Sequence, residues 1–227
     1  MNSLSFKQKI ASIIIKLVVI ISAFIGVLLS ALSADGFFMS GKVVFMYFTI
    51  QSNIAIALVC LIGLILLFLN KANYIWFVIK LVFTVSITLT GAVYCFVLAP
   101  TANNDAWSIK NVLTHVIVPI SAIADFFVAC NVIKYRKKDI IYVIIPPLLY
   151  AIYALIGYAL NWNFGLGTNY PYFFLNWGSK AGAFGFSNKL PYIGVMWWIL
   201  LLLGSLVGVG YLDNYINNII RNKLIGE

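Results

Sequence analysis

The chain carries a single histidine, His115, which lies near the start of a long apolar run. An earlier apolar run contains Tyr47-Phe48-Thr49-Ile50-Gln51-Ser52-Asn53, five polar groups in seven residues. Thr49, Ser52 and Asn53 stand at i, i+3 and i+4 and share a helix face, and Tyr47 and Gln51 form a neighbouring i, i+4 pair. A threonine hydroxyl becomes a nucleophile when a base takes its proton. An imidazole, with an ordinary pKa of about 6.5, is the side chain suited to that task at neutral pH. Gln51, Ser52 or Asn53 can then donate to a developing oxyanion. The plainer reading is interhelical hydrogen bonding, with the threonine bonding back to a carbonyl of its own helix.

The elements holding these groups are set by composition. Of 227 residues, 63% are hydrophobic and only 9% charged, with mean hydropathy +1.01. Soluble domains carry about 25% charged residues, so lipid must solvate much of this surface. Six stretches reach the length of about 20 apolar residues needed to span a bilayer: 10–32, 43–69, 75–98, 112–133, 140–160 and 191–212. The expected fold is an all-α, six-transmembrane-helix bundle, with residues 1–227 forming one integral membrane domain. The net charge of +9 does not point to nucleic acid, because the basic residues punctuate apolar runs rather than gather on one face.

The basic residues also orient the chain. With the amino terminus inside, the cytoplasmic side holds Lys7, Lys9, Lys71, Lys134, Arg136, Lys137, Lys138, Arg221 and Lys223, against Lys42, Lys110, Lys180 and Lys189 outside. Both termini are therefore expected in the cytoplasm. The first span is longer than a signal-peptide core of about 7–15 residues and is read as a retained helix, despite the small residues of Ala31-Leu32-Ser33-Ala34. In this topology the second and fourth spans enter from the same outer side. At 1.5 Å rise per residue, Thr49 lies about 9 Å and His115 about 5 Å below their helix starts, with Asn111 and Thr114 beside the histidine.

Three charges fall inside spans: Lys16, Lys80 and Asp125. The lysines are expected to snorkel to the inner interface. Asp125 lies about 15 Å along the helix from His115, too far for a triad; it is expected to pair with one of the lysines or to serve an ion or proton path. Pro119, Pro146 and Pro147 should kink their helices. Cys60, Cys95 and Cys130 lack metal or disulfide spacing and read as packing residues. No GxSxG, Walker loop or HExxH occurs, and neither a metal nor another cofactor is expected. The last connection, 161–190, is rich in aromatics and glycine and reads as an interfacial cap, or as a lid over an outward cavity.

Four blocks resemble a known family. They are the Tyr47–Asn53 run, His115-Val116-Ile117-Val118-Pro119 with Asp125, Pro147-x-x-Tyr150-x-x-Tyr153, and Tyr170-Pro171-Tyr172-Phe173-Phe174-Leu175. In order and spacing they resemble the bacterial Pr6Pr family of six-span membrane proteins. That family is distantly similar to the androgen-induced and androgen-dependent transmembrane hydrolases, which cleave fatty-acid esters of hydroxy fatty acids with a threonine and a histidine. The resemblance implies Thr49 as nucleophile and His115 as base, in a bacterial cytoplasmic membrane. Around them, Gln51, Ser52, Asn53 and Tyr47 are expected as oxyanion or pocket groups. Asn111, Tyr150, Tyr153 and Tyr172 complete the expected pocket. Two positions depart from the relatives: Ile156-Gly157 stands for Arg-Gly, and Asn176 for an acid.

The reading from sequence is thus an intramembrane hydrolase of lipid esters, partnered by membrane lipids. The alternative is a non-enzymatic transporter or lipid-binding protein with a polar intramembrane cavity.

Overall fold

A computed structural model describes residues 4–33, 41–101, 106–130 and 132–225. Within them are six helices long and apolar enough to cross a membrane. They are α1 (Phe6–Ala31), α2 (Phe48–Phe68), α3 (Tyr74–Thr101), α4 (Ile109–Ala129), α5 (Lys137–Ala159) and α6 (Val195–Ile225). The chain is an all-α, multi-pass membrane protein. Ala34, the last of the small residues considered for cleavage, lies outside the described residues.

Local chemistry sets several helix ends. Ser5 and Gln8 form a reciprocal capping box that opens α1. The Asn73 side chain accepts from the Trp76 N–H and starts α3. Residues Gly41–Met46, the last four of them expected within the second span, form a 3₁₀ turn entered through Gly41 at φ 63°. The sixth helix runs well beyond the expected Leu212, because its polar continuation turns inward. Asp213, Asn214 and Asn217 are buried there, and Asn217 Nδ2 donates to the Ile133 carbonyl.

Two helices carry π-helical turns, Tyr94–Leu98 in α3 and Leu113–Ile117 in α4. The second lies just before Pro119, which has no N–H to offer the carbonyl four residues earlier, that of His115. α3 comes close to that carbonyl through Gly91, where a Cβ would stand 2.8 Å from His115 O.

α1 to α4 pack as an antiparallel ring: α1 lies on α2 and α4, and α3 closes the far side. α5 and α6 lean on α3 from outside. Only 17% of the most apolar stretch of α6 is buried inside the protein, so lipid must cover the rest.

The two lysines do not snorkel. Lys16 and Lys80 are each 2% exposed and both reach Asp125, which is fully buried. The expectation of a single lysine partner for Asp125 becomes a three-membered cluster, because α1, α3 and α4 meet at one level. Cys60 and Cys130 are buried and Cys95 half-buried, all as free thiols.

The last connection is a packed cap. Phe164, Tyr172, Phe174 and Leu175 are buried in protein rather than placed among headgroups. Tyr47 Oη donates to the Phe164 carbonyl at 2.6 Å, and Gly157 makes room for the Phe164 ring, which a Cβ would meet at 2.6 Å. Gly165 and Gly167 occupy positive-φ turns. Phe184 and Phe186 are the exposed aromatics of this segment.

Candidate functional site

Thr49 sits in the first turn of α2, 4% exposed. Its hydroxyl does not bond back to its own helix. Thr49 Oγ1 lies 3.4 Å from Tyr172 Oη, and the Thr49 N–H donates to the same oxygen at 3.3 Å. Tyr172 therefore caps one of the orphan N–H groups that every helix start leaves over. Burial pushes the Tyr172 phenol above its ordinary range, so it stays a neutral hydroxyl. Tyr47, just ahead of α2, is raised for the same reason.

Thr49 and Tyr172 both line a cavity of about 60 Å³. Its walls are apolar: Leu89 and Val93 from α3, Pro147 and Ala151 from α5, Ile199, Leu202 and Leu203 from α6, and Phe174 and Leu175 from the cap. Thr90 and Tyr150 also line it, and Tyr150 Oη donates to the Met46 carbonyl. Several wall residues from α3, α5 and α6 are only half-buried.

His115 lies in the π-helical turn of α4, 2% exposed. Its ring stacks on Tyr94, with centroids 3.7 Å apart and planes 19° from parallel. Nδ1 is 3.0 Å from the Asn111 carbonyl and 3.0 Å from Thr114 Oγ1. A carbonyl can only accept, so Nδ1 carries the proton in the neutral ring and Nε2 keeps a bare lone pair. Nε2 is buried and has no hydrogen-bond partner.

Asn53 joins the two halves. Its Nδ2 donates to the Thr49 carbonyl at 2.8 Å and to the Thr114 carbonyl at 3.1 Å, so α2 and α4 touch at this level. Ser52 Oγ donates to the Thr49 carbonyl and lies 2.7 Å from Thr90 Oγ1, tying α2 to α3. Thr49 and His115 themselves share no hydrogen bond. One faces Tyr172 and the cavity; the other faces Tyr94.

The remaining expected pocket residues divide. Tyr47, Tyr150 and Tyr172 pack into one aromatic group against α2. Tyr153 joins its edge, against Tyr150, Trp162 and Phe164, without lining the cavity. Asn111 Nδ2 donates to the Ala106 carbonyl near the histidine. Gln51, expected to face protein or water and offered as an oxyanion or pocket group, is exposed and donates to the Phe45 carbonyl. At the first turn it reaches polar backbone without entering the bundle. Thr90 and Tyr94 went unread in the sequence. The Ser86/Thr90 spacing at i, i+4 was a usable sign of a polar face on α3, but nothing local marked Tyr94.

Comparison with protein-family models, curated proteins and solved structures finds no match to this chain.

Proposed function

We propose that the protein binds a lipid-like ligand by inserting the end of an acyl chain or its ester between α3, α5 and α6. The observation carrying this reading is a largely apolar cavity lined by Thr49 and Tyr172, whose hydroxyls lie 3.4 Å apart. One water needs about 10–15 Å³ on this measure, so about 60 Å³ accepts a group of roughly four heavy atoms, such as the end of an acyl chain. The rest of such a ligand would lie along the lipid-facing helices, already in its preferred solvent. Polar groups few in number and fixed in place set the orientation of a ligand in an otherwise apolar site. The setting would be a bacterial cytoplasmic membrane, as the family resemblance implies.

A photoreactive diazirine fatty-acid ester, supplied in phosphatidylglycerol–phosphatidylethanolamine vesicles, tests the binding. Crosslinks concentrated on the cavity walls are expected. Crosslinks spread evenly over all lipid-facing residues would rule the reading out.

A second reading, hydrolysis of that ester, is favoured by the bare Nε2 of His115. Thr49 would attack the acyl carbonyl and His115 Nε2 would take its proton; water would then release the acyl group. In the present arrangement Thr49 and His115 share no hydrogen bond, so this reading requires one of them to move. Fluorophosphonate labelling that disappears in both Thr49→Ala and His115→Ala supports it. Labelling that survives Thr49→Ala removes Thr49 as nucleophile.

A further inference from the structure

At the other end of α2 from Thr49, the turn between α2 and α3 borders an open groove of about 530 Å³. α2 ends at Phe68 and α3 begins at Tyr74, so Asn70, Lys71 and Asn73, which line the groove, stand at a membrane face. Leu66, Trp76 and Ile79 line it as well. Leu66 lies one turn back along α2, and Ile79 lies about 9 Å along α3 from Asn73 at the usual helical rise. The groove is therefore polar at the membrane face and apolar towards the membrane interior.

The polar rim offers donors. Lys9 Nζ, from the first turn of α1, donates to Asn70 Oδ1 at 3.3 Å. Asn73 Oδ1 accepts from the Trp76 N–H at 2.9 Å. Both side-chain carbonyls are thus engaged, and both amide nitrogens remain to donate. The Lys71 ammonium has no partner among the described residues, and no acid is among the described residues that line the groove. One wall is fixed: the Trp76 indole packs against Gly63, where a Cβ would stand 3.4 Å from Trp76 Cζ2. An indole has an apolar body and one polar edge, which suits it to headgroup depth.

We propose that this groove holds one anionic phospholipid. Its phosphate is met by Lys9, Lys71 and the Asn70 and Asn73 amides, and an acyl chain lies along Leu66, Trp76 and Ile79. Charge complementarity selects this occupant: two lysines beside a groove lined by no acid attract a net negative headgroup. Lysine binds phosphate as a point charge, and the amide N–H groups add hydrogen bonds to its oxygens. The quaternary ammonium of a zwitterionic choline lipid meets two like charges there, so the site discriminates by headgroup.

The apolar half separates a lipid from a free anion. Inorganic phosphate uses only the rim, whereas a phospholipid also covers the apolar walls that run into the membrane. This occupant shares no residue with the Thr49 cavity, so it stands or falls independently of the ligand proposed there. The Lys9–Asn70 bond already ties the start of α1 to the α2–α3 turn, and a phosphate held by both segments strengthens the same tie.

The test is native mass spectrometry of the full-length, delipidated protein, titrated with phosphatidylglycerol or with phosphatidylcholine of the same acyl chains. Wild type should bind one phosphatidylglycerol in preference to phosphatidylcholine. Lys9→Gln combined with Lys71→Gln should remove that preference, at about fivefold in affinity per lysine, the usual worth of one basic residue near an anionic headgroup. Lys137→Gln combined with Lys138→Gln, at the start of α5, should keep it. Equal losses in the two pairs would trace the preference to the general charge of this face and overturn the site. An unchanged preference without Lys9 and Lys71 would overturn it too. Displacement of the lipid by inorganic phosphate would mark a site for the free anion and overturn the lipid as its occupant.

Discussion

The imidazole of His115 lies flat against the ring of Tyr94, 3.7 Å between centroids. Both residues sit in π-helical turns of adjacent helices, a distortion that recurs at functional sites. The stack covers a histidine that is otherwise oriented only through Nδ1. Tyr94→Ala should therefore uncover Nε2 while leaving the bond to the Asn111 carbonyl in place. Carbethoxylation by diethyl pyrocarbonate reads this cleanly, since the chain has one histidine. Wild type should react slowly and Tyr94→Ala much faster. Equal rates would mean that the stack does not guard the ring.

Asn53 is the tie between the Thr49 and His115 levels, giving one amide to two backbone carbonyls. Asn53→Ala leaves both carbonyls without that donor inside the bundle. The Thr49 carbonyl keeps its bond from Ser52 Oγ, so the expected cost, about 1–3 kcal/mol, comes chiefly from the lost tie to the Thr114 carbonyl. A lowered unfolding midpoint in detergent, with the six-helix circular dichroism retained, is the predicted outcome.

The parts of this arrangement that were legible in the sequence are those fixed by length and apolarity. Six spans follow from six apolar runs, and the polar face Thr49–Asn53 follows from spacing alone. The ends of spans were less legible: the second helix starts only at Phe48, after a 3₁₀ turn over Gly41–Met46, and the Asp213–Asn217 segment extends the sixth because it packs inward. Lys16 and Lys80 were misread as interfacial because each was judged against its own helix. Their burial depends on Asp125 arriving from a third helix, which periodicity does not encode. The Tyr94 stack depends on a π turn, and the Tyr172 cap on how a thirty-residue connection folds back. Both are tertiary facts.

Tyr172 gives a pH dependence with a definite sign. Its phenol is raised by burial, whereas in an unfolded chain it ionises near pH of about 10. Above that pH the folded form holds more protons than the unfolded form, so stability falls as pH rises. Below it, this group contributes no slope. Unfolding midpoints should be insensitive to Tyr172→Phe from about pH 6 to 9 apart from a constant offset, and the alkaline fall should be smaller in the variant.

The cluster around Asp125 predicts an asymmetry between its members. Asp125→Asn removes the carboxylate paired with two buried lysines and should cost about 3–5 kcal/mol, as when one partner of a buried ion pair is removed. Lys16→Met keeps the volume and leaves a neutral Lys80–Asp125 pair, so it should be close to neutral or stabilising. Paired thermal melts check this. Equal damage from both substitutions would mean that charge balance is not what governs the site.

Ala151→Phe separates binding from general stability. Ala151 lines the cavity from α5, and a phenylalanine there projects into the space proposed for the ligand. Filling a cavity without strain holds or raises the melting temperature, whereas overpacking lowers it by a modest amount. In either case the acyl probe should lose its crosslinks to the cavity walls. Thr49→Val is the complementary change, because it keeps the shape and removes the hydroxyl. A binding role for Thr49 predicts a loss near about 1 kcal/mol in probe affinity, the worth of one ordinary hydrogen bond. A nucleophilic role predicts no turnover of an ester at all, with the probe still bound. Crosslinking that persists in Ala151→Phe would place the ligand elsewhere, and unchanged affinity in Thr49→Val would leave Tyr172 as the group that meets its polar end.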